Sequence, residues 1–537
     1  MDATLKRRQG NIRVSQARFY SRIANAVGPF VGSSADLASY LGNTAVSLEA
    51  SAALEDDPAH RAGFILAVNL CARLYPRLHI HATKSVAEEC ASLALQINPN
   101  CEIETKAGRC DAALVWGRPS SAEVPVIVSP AGWVIRIDQH EGDRLLSTNI
   151  LTALGAAALA VGEVFRTVFA RFLPRGRVRP SPGLLNILTL SESKAALPDL
   201  PRNISLGRVH LAGAGAVGQA AVYALSQVSA LGTVVVVDPE SIALSNLQRY
   251  VLAFDADVGA SKCALVERAL RGRGLEVVPV ESEWGDDEQT VRNVECVCTA
   301  LDTASARVGV QAGLPRKIYN AWTQPADVGW SRHESFGEEP CLACLYVPTG
   351  RRPSQHELVS RALRQPELRV LAYLTFRVPV DSPLRPEQIP RLPNHPVPQD
   401  ASTWVSQSIL EAIGQRIGTD SDGLSIWKGK QIGDLYREGI CGGAIISDKL
   451  GELPQEVAVP LAHQSAFAGI MLATQLIVGS SSELQPFRPS STEARLDVLA
   501  GLPQVVGRPR QRTLGCLCSD PDFITRYEQK WMLAKNP

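Results

Sequence analysis

Six residues, Gly213-Ala214-Gly215-Ala216-Val217-Gly218, spell a complete G-x-G-x-x-G directly after the apolar run Val209-His210-Leu211-Ala212. Glycines in this pattern permit a tight turn and a close backbone approach to a phosphate. The helix that follows offers unpaired N–H groups at its N-terminus to the same anion. A second β-branched run, 233–237, ends at Asp238, which falls 20 positions after Gly218, where a ribose-binding carboxylate belongs. The unit predicts nucleotide binding. NAD and FAD enzymes also use it, so the residues downstream must decide which nucleotide.

Those residues are Ser245-Asn246-Leu247-Gln248-Arg249, then Asp257-Val258-Gly259-Ala260-Ser261-Lys262, then Cys298-Thr299-Ala300-Leu301-Asp302, with Arg307 following. In type, order and spacing they resemble the motifs of the ThiF/MoeB and ubiquitin-activating superfamily, clearly over residues 206–346 and more loosely over most of the remainder. The resemblance implies an ATP-dependent reaction in which a carboxylate attacks the α-phosphate and charge builds on the phosphate and departing pyrophosphate. Arg249 and Lys262 would hold the phosphates, Asn246 would add a polar contact, Asp302 would bind Mg²⁺ and Asp238 the ribose hydroxyls. With Gly213, Gly215 and Gly218 these form the expected ATP site. A dehydrogenase has little use for two cations plus a metal carboxylate.

Twelve cysteines add a second chemistry. Cys341-Leu342-Ala343-Cys344 and Cys516-Leu517-Cys518 supply four thiolates, a set suited to a tetrahedral structural Zn²⁺. Many members of the superfamily close the fold with two such pairs, although the second pair here is one residue short of C-x-x-C. Cys441 stands apart, in Gly439-Ile440-Cys441-Gly442-Gly443-Ala444, where flanking glycines predict an accessible turn. The resemblance places the thioester cysteine of activating enzymes between the two zinc pairs, which makes Cys441 the candidate nucleophile. Cys263, Cys296 and Cys298 read as packing residues, and Cys71, Cys90, Cys101 and Cys110 carry no expected catalytic role. His463 is the only histidine close to Cys441 in sequence, and no ordered Ser-His-Asp set, H-E-x-x-H or P-loop pattern occurs.

The elements that must position these groups read as α/β. In the first half 62–74 reads as a helix, 78–82, 111–116, 125–129 and 133–137 as strands, and 149–169 as a helix apolar on every face. No glycine-rich loop occurs in this half. In the second half 220–228, 404–417, 466–478 and 522–533 read as helices. Seven prolines between Pro379 and Pro398 predict an extended connection. The expected architecture is two Rossmann-like adenylation folds, the first inactive and the second active, with an inserted catalytic-cysteine segment. The boundaries are 1–173 for the inactive domain, 174–183 for a linker, 184–346 for the first part of the active domain, 347–455 for the cysteine region and 456–537 for the last part with the C-terminal zinc pair. Near the start, Arg18-Phe19-Tyr20-Ser21-Arg22 resembles the R-Y-x-R-Q helix that opens such folds, with Ile23 in place of Gln. Arg22 is therefore the candidate arginine finger, a role worth ~10³–10⁵ in rate in other phosphoryl-transfer enzymes.

Composition sets the remaining bounds. The chain has 537 residues, 45% hydrophobic and 20% charged, which is ordinary for a globular protein of several domains. Lys plus Arg equals Asp plus Glu at 54 each, so no global field points to nucleic acid or an acidic membrane. The charge-free runs 145–162 and 457–482 are broken by polar residues and read as buried helices rather than spans, and a cytoplasmic location is expected. Taken together, the expectation is an enzyme that adenylates the C-terminus of a ubiquitin-like protein, captures it on Cys441 and passes it to a conjugating enzyme. The compact inactive-then-active layout resembles bacterial activating enzymes of antiphage conjugation operons. An internal inactive partner predicts a pseudo-dimeric monomer, with a homodimer as the alternative. Alternatives of function are a sulfur-carrier adenylyltransferase, a non-catalytic scaffold for a ubiquitin-like protein and a dinucleotide oxidoreductase.

Overall fold

The computed structural model describes residues 40–347 and 461–533, except 106–108, 119, 121, 138–144, 174–179, 181, 193–196, 287–292, 325–326, 498–504 and 509. Within 348–460 it describes six scattered positions. Two units emerge, one formed by Ala38–Val347 with Pro460–Pro537, the other by Met1–Leu37 with Pro348–Val459. Everything below concerns the first. The proline-rich run, Cys441 and Arg22 lie outside the described residues, as does the helix expected at 404–417 except for Gln407, Leu410 and Glu411, which are helical.

The first sheet comprises β1 (Ala45–Ala50), β2 (Arg77–His81), β3 (Glu102–Glu104), β4 (Ala112–Trp116), β5 (Pro125–Val128), β6 (Val134–Ile137) and β7 (Gly183–Asn186). Their order is β3-β2-β1-β4-β5-β6-β7, the first five parallel and the last two antiparallel. The helices α1 (Pro58–Ala72) and α2 (Lys84–Ile97) make the crossovers, and α3 (Ile150–Val168) follows β6. Central strands such as β4 are buried along their whole length, so they read as continuous apolar runs rather than alternating ones.

The second sheet comprises β8 (Ile204–Ala212), β9 (Ala230–Val237), β10 (Leu275–Val280), β11 (Cys296–Thr299), β12 (Lys317–Thr323), β13 (Asp327–His333), β14 (Glu493–Asp497) and β15 (Val505–Arg508), in the order β10-β9-β8-β11-β12-β13-β14-β15. Its first five strands in that order are parallel and the last three antiparallel. Four helices, α4 (Ala216–Ser226), α5 (Lys262–Leu270), α6 (Ala304–Ala312) and α7 (Ala462–Ser480), are interleaved, and α8 (Pro521–Leu533) is the last described element. Counted within its own half, each sheet runs 3-2-1-4-5-6-7 over seven strands. Both are Rossmann-like, and α3 and α7 hold the same place, between the sixth and seventh strands.

These two helices carry the core. Asn149 caps α3 by accepting from the Thr152 N–H at 3.0 Å, and every residue after Ile150 is buried. By length and composition α3 could cross a membrane, yet 94% of its apolar window is buried inside the protein. In α7 the Leu461 N–H is satisfied by Gln464 Oε1 at 2.8 Å, and Ala462–Gly479 is buried throughout. The two pack on each other, with the Phe165 and His463 rings 5.5 Å apart. α1 packs on α3 as α4 packs on α7.

The elements that the sequence reading named within the described residues have the expected type, but it assigned no element to β1, β3, β10, β12 to β15, α5 or α6. α1 starts four residues early because Asp57 caps it and Pro58 opens it. α2 and β7 likewise have no counterpart in that reading. β7 pairs antiparallel with β6, so the first sheet extends past the linker expected at 174–183. A four-residue edge strand next to Pro and Gly gives no periodic signal; only its partner defines it.

α7 and α4 approach closely at Gly469, where a Cβ would come 2.3 Å from the Val217 carbonyl oxygen and 2.5 Å from Ala220 Cβ. The clash outweighs the ~1 kcal/mol helix-propensity gain of alanine. Gly469→Ala is expected to destabilise by about 1–3 kcal/mol and lower the thermal midpoint by several degrees. A midpoint at or above that of the unsubstituted chain would contradict the close approach.

Candidate active site

β8 delivers the chain into the glycine turn. Gly213 has φ +91°, and a Cβ on it would meet the Ala300 carbonyl oxygen at 2.9 Å. A Cβ on Gly218 would lie 2.1 Å from the Gly213 carbonyl oxygen. Both positions are therefore required to be glycine by the backbone packing. Gly215, the N-cap of α4, has only the Tyr250 hydroxyl near, 3.6 Å from where a Cβ would be. No side chain caps α4, so the positive end of its helix dipole has no capping side chain.

The equivalent place in the first half is filled by the protein itself. A 3-10 turn, Ala52–Asp56, replaces the glycine turn. Asp57 Oδ1 accepts from the Ala59 and His60 N–H groups at 3.0 and 3.1 Å, which puts a built-in carboxylate at the N-terminus of α1. Trp116, at the end of β4, is fully buried, donates from Nε1 to His60 Nδ1 at 2.8 Å and lies against Gly63.

Asp238 ends β9 beside the open turn and is 6% exposed. Its Oδ2 accepts from the Ala214 N–H at 2.8 Å and its Oδ1 from the Glu240 N–H at 2.9 Å. Burial raises its pKa, with Lys262 and these two N–H groups opposing. Lys262, the first residue of α5 after the Ser261 cap, ion-pairs with Asp238 Oδ1 at 3.5 Å and with Glu240. Burial pulls the ammonium down, but Tyr250, Asp238 and Glu240 outweigh it and its pKa is raised. In this structure Lys262 thus sits by Asp238, the carboxylate expected to bind ribose. The Tyr250 ring stands between the two cations, 5.6 Å from Lys262 Nζ and 5.5 Å from Arg249 Cζ.

Arg249 is the group with an unmet need. Its Nη1 is buried and has no hydrogen-bond partner among the described residues. Burial lowers its pKa, opposed by Tyr250 and Asp302. Asp302 is exposed, three residues past β11, on the loop whose Ala300 and Leu301 pack against Gly213. Arg307 holds that loop by donating to the Leu301 carbonyl, to Asn320 Oδ1 and, at 3.0 Å, to the Ala321 carbonyl. Asn246 Oδ1 accepts from the Ala243 N–H at 2.8 Å and so shapes the turn that presents Arg249. The structure brings Gly213, Gly215, Gly218, Asp238, Lys262, Arg249 and Asp302 into one neighbourhood. Sequence reasoning missed Tyr250 and Glu240, whose only signal is adjacency to Arg249 and Asp238.

The second chemistry has its own place. Cys341, Cys344, Cys516 and Cys518 are buried, and their sulfurs all lie within 4.8 Å of one another, with Cys341–Cys516 at 3.6 Å and Cys344–Cys518 at 3.4 Å. Sulfurs about 3.8 Å apart are what a tetrahedron of ~2.3 Å Zn–S bonds requires, so the set is compatible with zinc. Arg512 donates to the Cys518 carbonyl at 3.2 Å, and the Thr513 N–H points to Cys344 Sγ at 3.5 Å. The remaining described cysteines are unsuited to attack. Burial pushes the Cys71 thiol up, Cys90 and Cys101 up to about 12, and Cys110 up as well. Cys263, Cys296 and Cys298 are buried in α5 and β11.

Metal analysis of the purified chain is expected to give one zinc per molecule. Removing it with a strong chelator should lower the thermal midpoint by roughly 10 °C or more, because the ion joins the C-terminal segment to the core. A metal-free chain with an unchanged midpoint would contradict a structural metal.

Comparison with known proteins follows the same division. Residues 194–477 match the ThiF family, and residues 48–170 match Prokaryotic E2 family C. The uncharacterized protein y4jF of Sinorhizobium fredii is 34% identical over 524 residues, 93% of this chain and 95% of that one. Among solved structures, E. coli MccB with AMPCPP and MccA aligns at 12% identity and a TM-score of 0.34, covering 58% of this chain and 67% of that chain. PaaA aligns at 18% identity and a TM-score of 0.21, covering 24% of this chain and 44% of that chain. Both superpositions are loose. The ThiF match spans more than half of the chain and the long relative spans nearly all of it: the protein belongs to the ThiF family, with an adenylyltransferase-like enzyme fold.

Proposed function

We propose that this chain activates a ubiquitin-like protein: it adenylates the modifier's C-terminal carboxylate with ATP and transfers it to Cys441 as a thioester. The observation that carries the reading is the orphaned, buried Nη1 of Arg249 beside an uncapped helix N-terminus. A cationic donor kept out of water without a partner is costly, and phosphate oxygens are the acceptors that suit it. Asp302, coupled electrostatically to Arg249, would hold Mg²⁺, which when bound neutralises phosphate charge. Asp238 would take the ribose hydroxyls, and Lys262 the phosphates once it leaves Glu240.

In the first step a carboxylate oxygen of the modifier forms a bond to the α-phosphorus while the bond to the bridging oxygen breaks and pyrophosphate leaves. In the second, the Cys441 thiolate attacks the acyl carbon, and AMP departs with the acyl–oxygen electron pair. A conjugating enzyme then accepts the modifier on its own cysteine. The match of residues 48–170 to Prokaryotic E2 family C supports a place in conjugation. The first domain acts as an inactive adenylation-like partner, its crevice occupied by Asp57 and Trp116. Arg22 is the proposed arginine finger. The metal of the four-cysteine site is zinc, the location cytoplasmic, and the setting bacterial antiphage conjugation, in which neighbouring genes should encode the modifier, a conjugating enzyme and a deconjugating protease.

Asp302→Ala is expected to abolish ATP–pyrophosphate exchange, a loss of at least about 10²-fold; near-normal exchange would refute the assignment. Cys441→Ala should retain exchange but lose the thiol-labile conjugate formed with the modifier and Mg·ATP. Persistence of that conjugate would exclude Cys441 as the acceptor.

A further inference from the structure

Four carbonyls around Arg249 and Tyr250 belong to neither helix nor strand ladder, and side chains from elsewhere satisfy them. Arg268, from α5 of the same half, takes the Leu252 carbonyl at 3.0 Å while paired with Asp257. The other three are taken from across the molecule by the last turn of α1. Asn69 Nδ2 donates to the Val251 carbonyl at 3.1 Å. Arg73 donates from Nη1 to the Leu247 carbonyl, from Nη2 to the Ala253 carbonyl at 3.0 Å and from Nε to Asn69 Oδ1 at 2.9 Å. The grip therefore brackets Arg249 and Tyr250 on both sides. Arg73 is 1% exposed and Asn69 3%.

A fully buried guanidinium whose partners are amide oxygens, with no carboxylate among them, is an expensive way to fill space. No counter-charge repays its desolvation, and an apolar side chain in its place would leave the Leu247 and Ala253 carbonyls without this donor. What the guanidinium adds is geometry, since three donors in a rigid fork fix three acceptors at once. We propose that Arg73, supported by Asn69, is a positioning residue by which the first half holds the 247–253 turn so that Arg249 faces the nucleotide phosphates. This rests on the adenylation reading for the identity of the ligand, not for the clamp itself. It gives the first half a direct effect on catalysis through residues in its described part, independent of Arg22.

The test uses the full chain carrying Arg73→Met. The KM for Mg·ATP in pyrophosphate exchange is expected to rise about tenfold or more, whereas binding of adenosine, which has no phosphates, should change by less than about twofold. In an Arg249→Ala background the same substitution should add less than about twofold, because both changes remove one function. Amide hydrogen exchange of 247–253 should speed up regardless of activity. An unchanged KM, or equal losses in both backgrounds, would overturn the proposal. So would unchanged exchange in the turn. If Arg73→Met does not fold, Asn69→Ala with the same readouts replaces it, removing the Val251 contact and the support of Arg73 Nε. A chain with no pyrophosphate exchange before substitution would refute adenylation, while the hydrogen-exchange comparison would still decide the clamp.

Discussion

The N-terminus of a helix that follows the first strand of a parallel sheet is a place where negative charge is wanted, and the two halves of this chain meet that demand in opposite ways. In the first, Asp57 supplies the charge from within, capping α1. In the second, α4 begins on Gly215 with no side-chain cap, and no carboxylate of the protein takes that place. Strand order, crossover helices and the placement of α3 and α7 are otherwise shared. One carboxylate, its neighbouring 3-10 turn and the buried Trp116 separate a self-capped helix N-terminus from an uncapped one.

The polar groups around the open crevice are linked in a chain of mutual restraint. Asp238 ties the second strand to the glycine turn through the Ala214 N–H. Lys262 ties α5 to Asp238, and Tyr250 separates Lys262 from Arg249. Arg307 pins the loop that bears Asp302. Arg73 extends this restraint into the other half, and the α3–α7 contact provides the apolar base on which both halves are held.

What could be read from the sequence was the part governed by local sterics. The glycine turn, the strand ending at Asp238 and the helix apolar on every face each follow from a handful of adjacent residues. The four-cysteine cluster was legible too, despite its irregular second pair, because thiol spacing carries its own signal. The identical strand order of the two sheets was not, since it rests on pairings such as β13 with β14, separated by the whole insert. Arg73 was out of reach for the same reason: Leu247, whose carbonyl it grips, is 174 positions away. Asp57 carried no signal in the sequence, and only its place at the start of α1, the position Gly215 holds before α4, gives it meaning. Cys441 and Arg22 rest on family resemblance alone.

Calorimetric titration of the intact chain with Mg·ATP and, separately, with NAD tests the central claim most directly. The expected result is saturable binding of Mg·ATP at one site, strongly weakened by Arg249→Ala, and no binding of NAD. Tight binding of NAD, or Mg·ATP affinity indifferent to Arg249, would contradict a crevice built around a triphosphate.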